Sequence, residues 1–590
     1  MATSQLGIVV HATHEAGLKM GGIGAVLDGL LGSLAYNSQV GRSVLAGPID
    51  ADDHALMERL TAKANRFTIL RSTVHGVHDA PVEVERALAP IEAQMNVRFV
   101  YGRRWFGNFD HEVLLVDAGH IRPEVSNPFK YYLWRHWGLS SDRFEHVWEY
   151  RFHLDAAAPL YAALDALYGE QDLNGERYLI AHEWVGLPLV LRAALSDGGL
   201  WRKVFYAHEV ATARMLVESH GGHDTRFYNA LRLAKQRGLA LEDVYGDYSW
   251  FHKHAVIERS AVCDRIFAVG GAVIDELRFL GGAVGSTPID LVPNGVPHPE
   301  ITPAEKILSR DLLLRYTETL LGYRPDYVFT HVTRLVTSKA IWRDFRVLEH
   351  LEWSLAAAGE RATYLLVASA TPQGKSSSDV AHWEAEYGWP LGHRGDNGDL
   401  VEEEANVFFR LVEPFHIGRS AIRAVLVNQF GWERGRCGTR MPAEMSFRDL
   451  RVGSDLEFGQ SIYEPFGIAQ LETLSGGGLS VVSNICGCIG FIRSAAGSDE
   501  HANVIVGDYV TLPTDWRVDS PWDALAIDQR VRDEIEFRES QAVAQMILAR
   551  LPNDEDDRAQ LLESGQALAS SMSWEVVARD YFLPALARCR

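Results

Sequence analysis

Short apolar, β-branched runs alternate with stretches of helical length along most of the chain. In the first half the runs fall at 7–12, 43–49, 97–102, 112–119, 177–183, 203–209, 265–271 and 289–295. Helices are predicted between many of them, for example at 21–36, 154–169, 252–264 and 271–280. The second half repeats the grammar with runs at 327–333, 363–369, 423–429 and 479–484. Continuous apolar strands alternating with helices predict α/β architecture, with doubly wound parallel sheets covered on both faces. The turn-rich stretch PNGVPHPEITPAEK carries four prolines and predicts a break near 296–310. Two Rossmann-like domains in tandem are therefore expected, at 1–300 and 301–572, with their sheets facing a cleft. In open α/β sheets ligands bind beyond the carboxyl ends of the strands, so the informative residues are those just after strands.

Three such segments stand out. Gly17-Leu18-Lys19-Met20-Gly21-Gly22-Ile23-Gly24 follows run 7–12 and precedes an apolar helix. Paired glycines at a helix start let backbone N–H groups approach an anion, and Lys19 would add a cation. A tight turn beside a solvated lysine fits the same residues equally well. Arg334 and Lys339 lie five residues apart after run 327–333, where two cations can straddle a pyrophosphate. In an acidic chain that placement favours a functional reading over a solvated basic loop. Ser461-Ile462-Tyr463-Glu464-Pro465-Phe466-Gly467-Ile468 opens a third segment that ends at Glu472. On a continuous helix the two carboxylates would be ~12 Å apart at 1.5 Å per residue, one near a sugar and the other near a ribose. A charged helix start is the plainer alternative.

Composition narrows the partners. Of 590 residues, 57 are Lys or Arg and 78 are Asp or Glu, a formal charge of −21. A nucleic-acid partner is not expected, because phosphate backbones require a clustered basic face. No run approaches ~18 apolar residues, so no membrane span is expected. The N-terminal stretch has no basic, apolar signal pattern. Five cysteines, Cys263, Cys437, Cys486, Cys488 and Cys589, are few and odd in number. They suggest a reducing, cytoplasmic setting and read as small buried side chains.

Taken together, these segments resemble a GT-B retaining glycosyltransferase of the glycogen/starch synthase type. Lys19-Met-Gly-Gly-Ile is similar to the family's K-x-G-G-[IL] loop, and Ala181-His182-Glu183-Trp184 to its H-[DE]-W segment. Phe205-Tyr-Ala-His208-Glu209 stands where the family has a Thr/His-rich turn. His254 to Gly295 resembles its E-R-A-A to P-N-G passage. Arg334 to Lys339 matches R-x4-K, and Glu464 to Glu472 matches E-x7-E. Ser573-Trp574-Glu575 with Tyr581 looks like the S-W-E…Y helix, which implies a C-terminal element at 573–590 crossing back to the first domain. The matches run in family order from about residue 7 to residue 585.

The resemblance implies transfer of a hexose from a nucleotide-sugar to a carbohydrate acceptor, with no cofactor and no metal. Arg334 and Lys339 would neutralise the leaving diphosphate, assisted by Lys19 and the Gly21 and Gly22 amides, with Gly467 and Ile468 at a helix start beside it. Glu464 would contact the donor sugar, Glu472 the ribose, and His182 the sugar. The leading expectation is glucose transfer from ADP- or UDP-glucose to an α-1,4-glucan. The alternatives are a sucrose- or trehalose-type transferase on a small acceptor, another polysaccharide acceptor, or a silent glucan-binding regulatory protein. Donor, acceptor, oligomeric state and regulation are left open, a homo-oligomer among the possibilities. Departures from the family are Phe466 for a bacterial Cys, Val296-Pro297 after PNG, Gly270 for Ser, and Cys486-Gly487-Cys488 for a paired-glycine loop.

Other features have plainer readings. The aromatic stretch 131–152 reads as core or interface, although its rings could stack on sugars. His11 and His14, and His220 and His223, lack metal-ligand spacing; the latter pair reads as a mobile loop. Segments 371–420 and 430–455 read as solvated excursions.

Overall fold

The computed structural model describes residues 6–169, 175–196, 198–219, 224–514 and 516–589. It divides into two compact units. One comprises Met1–Ala213, Ala234–Gly295 and Trp574–Arg590; the other comprises Arg214–Leu233 and Val296–Ser573. The predicted pair His220 and His223 lies outside the described residues. Among the described residues, no helix is long and apolar enough to cross a membrane.

Among the described residues the first unit is built on ten strands: β1 (Leu6–Ala12), β2 (Val40–Pro48), β3 (Phe67–Ser72), β4 (Val77–His78), β5 (Arg98–Phe106), β6 (Phe109–Asp117), β7 (Arg177–His182), β8 (Arg202–Ala207), β9 (Arg265–Ala268) and β10 (Ile289–Leu291). Their order is β10-β9-β8-β7-β1-β2-β6-β5-β3-β4. From β10 to β6 every pairing is parallel. Ile8, Val9 and Val10 are fully buried, as a strand covered on both faces requires. The last three strands depart from the all-parallel expectation. β5 and β6 form a hairpin across Gly107-Asn108, and β3 and β4 extend it antiparallel. Gly107 has φ +57°, the left-handed conformation a two-residue turn demands.

The second unit holds a six-stranded, fully parallel sheet: β11 (Tyr327–Arg334), β12 (Ala362–Ser369), β13 (Ile422–Val427), β14 (Leu456–Gly459), β15 (Leu479–Ser483) and β16 (Val504–Gly507). The order β13-β12-β11-β14-β15-β16 is the Rossmann order 3-2-1-4-5-6, reversing between β11 and β14. In segments 371–420 and 430–455 the polar stretches 376–379 and 394–398 are exposed, as expected, but the segments are not solvated throughout. Trp383, Trp389, Trp432, Cys437 and Met441 from them form a buried core with Tyr316, and Lys375 is paired with the buried Glu404 at 2.6 Å. Their polar residues flank buried tryptophans, so composition alone misreads them.

Arg214–Leu233 packs with the second unit through a buried knot. The guanidinium of Arg343 binds Asp224 in a fork, at 2.7 and 3.0 Å, donates to Glu536 at 3.1 Å, and lies 3.9 Å from the Tyr509 ring centroid. The end segment from Trp574 packs on the first unit. A methyl group on Gly29 would lie 2.0 Å from the Trp574 indole nitrogen, so only glycine leaves room for this ring. The Glu575 carboxylate caps the helix Leu34–Asn37, accepting from the Leu34 and Ala35 amides at 2.6 and 2.8 Å.

Candidate active site

In the second unit, the chemistry gathers at the switch point between β11 and β14. Lys339, in the turn Thr337–Lys339 after β11, is ion-paired with Glu464 in the loop after β14. Both side chains are mostly buried, 17% and 13% exposed, so each is held where the other can neutralise it. The loops are also joined through the backbone: the Ser338 carbonyl accepts from the Ile462 amide at 2.8 Å. Beneath them, buried Asp344 accepts from the Tyr364 hydroxyl at 2.8 Å and from Gln460 Nε2 at 3.2 Å, and pairs with His331 at 2.6 Å. Arg334, at the end of β11, is exposed and has no ion pair among the described residues.

The Glu464 loop is shaped by glycines. Gly467 has φ +94°, and a methyl group there would lie 2.3 Å from Gln470 Oε1. The Gly487 amide donates to the Glu464 carbonyl at 3.0 Å, and the Cys488 amide to the Phe466 carbonyl at 3.1 Å. Cys486-Gly487-Cys488 thus backs the loop; all five cysteines are buried and free. The segment after Gly467 is not the continuous helix assumed from spacing. Only Ile468–Leu471 is α-helical, with Glu464 before it and Glu472 after it, so the ~12 Å estimate along a helix does not apply here. A four-residue helix also supplies little dipole for a diphosphate. Glu472 is paired with Arg451 at 3.1 Å.

In the first unit the switch point lies between β1 and β7. The glycine-rich loop after β1 leads into the helix Gly22–Gly32. Its amides at Met20 and Gly21 donate to the Glu15 carboxylate at 2.7 and 2.6 Å. Glu15 therefore occupies the position expected for a phosphate oxygen, and the Gly21 N–H is already spoken for. Lys19 is half exposed and paired with Asp28 at 3.0 Å. Sequence reasoning missed both partners, which are fixed by folding and not by any motif.

His182, at the end of β7, is fully buried in a row of rings. Its Nε2 meets His11 Nδ1 at 2.9 Å and its Nδ1 meets His208 Nε2 at 2.9 Å. His11 Nε2 meets the Tyr36 hydroxyl at 3.0 Å, which meets Ser43 Oγ at 2.8 Å. Burial pushes the His11 and His208 pKa values down to about 3, and holds His182 well below its usual range with help from its two neighbours. The row is therefore a chain of neutral imidazoles. Next to it, Glu183 has φ +60°, a strained conformation for a residue with a side chain. Its Oε1 accepts from the amides of His208 and Glu209. Burial, then the Glu209 charge, raise its pKa well above the ordinary carboxylate range.

The aromatic stretch divides. Tyr150 is buried, but Tyr131 (47%), Tyr132, Trp134 and Trp148 are exposed, so of the core-or-interface expectation Tyr150 meets the core half and these four do not.

Two parallel-sheet α/β domains of this pattern define the GT-B fold. The structure is similar to the catalytic domain of starch synthase IV from Arabidopsis thaliana bound to ADP and acarbose, with TM-score 0.52 and 13% identity over 99% of this chain and 100% of that chain. It also matches the E. coli trehalose-6-phosphate protein bound with UDP-2-fluoro glucose (TM-score 0.48, 15% identity, 98% of each chain). Sucrose-phosphate synthase from Thermosynechococcus elongatus matches with TM-score 0.47 and 12% identity over 99% of this chain and 98% of that one. At these identities the likeness is one of fold. No protein-family model and no curated sequence matches the chain.

Proposed function

We propose that the chain is a retaining, nucleotide-sugar-dependent hexosyltransferase that moves glucose from ADP- or UDP-glucose to the non-reducing end of an α-1,4-glucan. The observation that carries this reading is the Lys339–Glu464 pair at the β11/β14 switch point, beside the exposed Arg334. In an open parallel sheet that is where a nucleotide ligand sits. A diphosphate arriving there would draw the Lys339 ammonium and the Arg334 guanidinium. Glu464 would then be released to accept from sugar hydroxyls and to stabilise positive charge at the anomeric carbon. As the glycosidic bond breaks, negative charge grows on the diphosphate, so fixed cations favour the transition state over the ground state. Glu472 would take a ribose hydroxyl. The starch synthase neighbour, bound to ADP and acarbose, is consistent with this pairing of nucleotide and saccharide.

The test is a matrix of ADP- and UDP-glucose against glycogen, glucose, fructose and their phosphates, run on wild type and Glu464→Gln. Turnover with glycogen, lowered at least ~100-fold in kcat by Glu464→Gln with the fold intact, is expected. Turnover confined to the small sugars would replace the glucan acceptor by sucrose- or trehalose-type chemistry. Glucan binding without any turnover would make the chain a silent regulatory protein.

A further inference from the structure

Arg451 is a buried cation with three partners in the second unit. It lies on the helix Phe447–Gly453, which precedes β14. Its Nη1 is 3.0 Å from Oε2 of Glu457, the carboxylate buried within β14. Its Nε is 3.1 Å from Oε2 of Glu472, and its Nη2 donates to the Ala469 carbonyl. One guanidinium thus ties a strand of the sheet to the helix Ile468–Leu471 and to the carboxylate just after it. Four helical residues are too few to hold their own geometry in water. The Glu472 amide donates to the same Ala469 carbonyl at 3.4 Å, so Arg451 grips the turn from which Glu472 projects. The two carboxylates differ in surroundings. Glu457 is fully buried and also accepts from the Thr330 hydroxyl and the Val332 amide, so it anchors Arg451 to the sheet. Glu472 is 28% exposed and meets solvent as well as Arg451. Neither Nε nor Nη1 has a hydrogen-bond partner among the described residues, so both pairs are contacts of charge. Such a contact places a carboxylate without the directed bond that would compete with a hydroxyl donor.

We infer that Arg451 is the positioning residue that makes Glu472 a reader of the nucleotide's sugar, and so sets this chain's preference for a ribose over its 2′,3′-dideoxy form. The inference rests on the reading proposed above, in which Glu472 takes a ribose hydroxyl. A carboxylate distinguishes the two sugars only by the bond that the hydroxyl donates to it. If the side chain must first be ordered, that cost offsets much of the bond. Arg451 meets the cost in advance, because it is itself fixed from β14 through Glu457. The geometry also accounts for an arginine at this position. Three partners lie on three different nitrogens of one planar group, which the single ammonium of a lysine cannot reproduce.

The test is calorimetric titration of ADP and UDP, and of their 2′,3′-dideoxy counterparts, into wild type, Arg451→Met, Arg451→Lys and Glu472→Ala. The quantity read is the ratio of dissociation constants, dideoxy over ribose form. Wild type should favour the ribose form roughly ten-fold or more, the worth of one hydrogen bond to a charged group. Glu472→Ala should bring the ratio close to one. Arg451→Met should bring it nearly as low, although Arg451 is assigned no contact with the nucleotide, and Arg451→Lys should recover part of it. A merely structural role would weaken both forms alike and keep the ratio, and that result in Arg451→Met overturns the inference. A wild-type ratio near one, or a ratio kept in Glu472→Ala, takes the ribose away from Glu472 and the inference falls with that assignment. Wild-type protein that binds neither nucleotide refutes the glycosyltransferase reading itself. In case Arg451→Met fails to fold, arginine 15N spectra of wild type decide the matter. The Arg451 Nε resonance should move on addition of ADP and stay on addition of the dideoxy nucleotide, and equal shifts with both overturn the inference.

Discussion

Replacing Gly487 by alanine should disable the Glu464 loop without touching any group that meets substrate. Gly487 has ordinary helical dihedrals, φ −62° and ψ −22°, so alanine brings no backbone strain and the effect is steric alone. The added methyl would lie 1.6 Å from the Pro465 carbonyl oxygen and 2.6 Å from its carbon. Real methyl groups keep at least 3.0 Å from such atoms, so the loop must retreat by 3.0 − 1.6 = 1.4 Å or more. That retreat breaks the hydrogen bond from the Gly487 N–H to the Glu464 carbonyl and pulls on the Lys339–Glu464 pair. Overpacking of this kind costs about 1–3 kcal/mol of stability. A misplacement near 1 Å costs on the order of 100-fold in rate. Gly490, in the same helix Cys488–Ala496, is the control, because a methyl there meets nothing within 4 Å. Gly490→Ala should keep full activity and gain up to about 1 kcal/mol from helix propensity. The assay is nucleoside diphosphate release with the best donor and acceptor pair, alongside thermal melts of both variants. If Gly487→Ala turns over as fast as Gly490→Ala, the loop is not held in place by this contact and the reasoning fails.

Further predictions concern the two units separately. Asp224→Ala leaves the Arg343 guanidinium buried with only part of its charge met, and should cost about 3–5 kcal/mol in denaturant unfolding of the second unit. Trp574→Ala empties the slot between Gly29 and Gly295 and should cost about 3–5 kcal/mol in the first unit, read by its melting transition. Stability should also depend on pH through His11. Its pKa is about 3 when folded and near 6.5 when unfolded, so below 6.5 the unfolded chain gains a proton that the folded chain refuses. The contribution is complete above about pH 6.5 and is lost toward pH 3, at roughly 1.4 kcal/mol per pH unit. His11→Phe should flatten the acid limb by that slope, and an unchanged limb would refute the burial account.

The strands that read clearly in the sequence are those apolar on both faces, such as β1, β7 and β15. β14 escaped because Glu457 interrupts its four residues. That carboxylate is buried and satisfied by Thr330 and by the Val332 amide at 2.8 Å, a pairing visible only in the sheet. β3 was hidden in the same way by Arg71, buried against Glu85 and Glu92. The hairpin of β5 and β6 was signalled by Gly107-Asn108 but not used. At the candidate site, the strand ends placed Arg334, Lys339 and Glu464, because short loops leave little freedom beyond a strand. What the sequence could not carry were the partners. The claims of Arg451 on Glu472 and His208 on His182 arise from residues separated in the chain and joined by topology, and those of Glu15 on the Gly21 amide and Asp28 on Lys19 from how one loop folds back against its own helix start.

The return of the chain to its first unit at Trp574 has a consequence for biosynthesis. The first unit is assembled from three separated stretches, and the indole slot beside Gly29 and Gly295 stays open until Trp574 has been made. All of the second unit precedes that residue. On the ribosome, the later-encoded unit therefore has its full complement of residues first. The N-terminal sheet must wait with its tryptophan slot and the Leu34 and Ala35 amides unfilled, a nascent state in which a chaperone has most to protect.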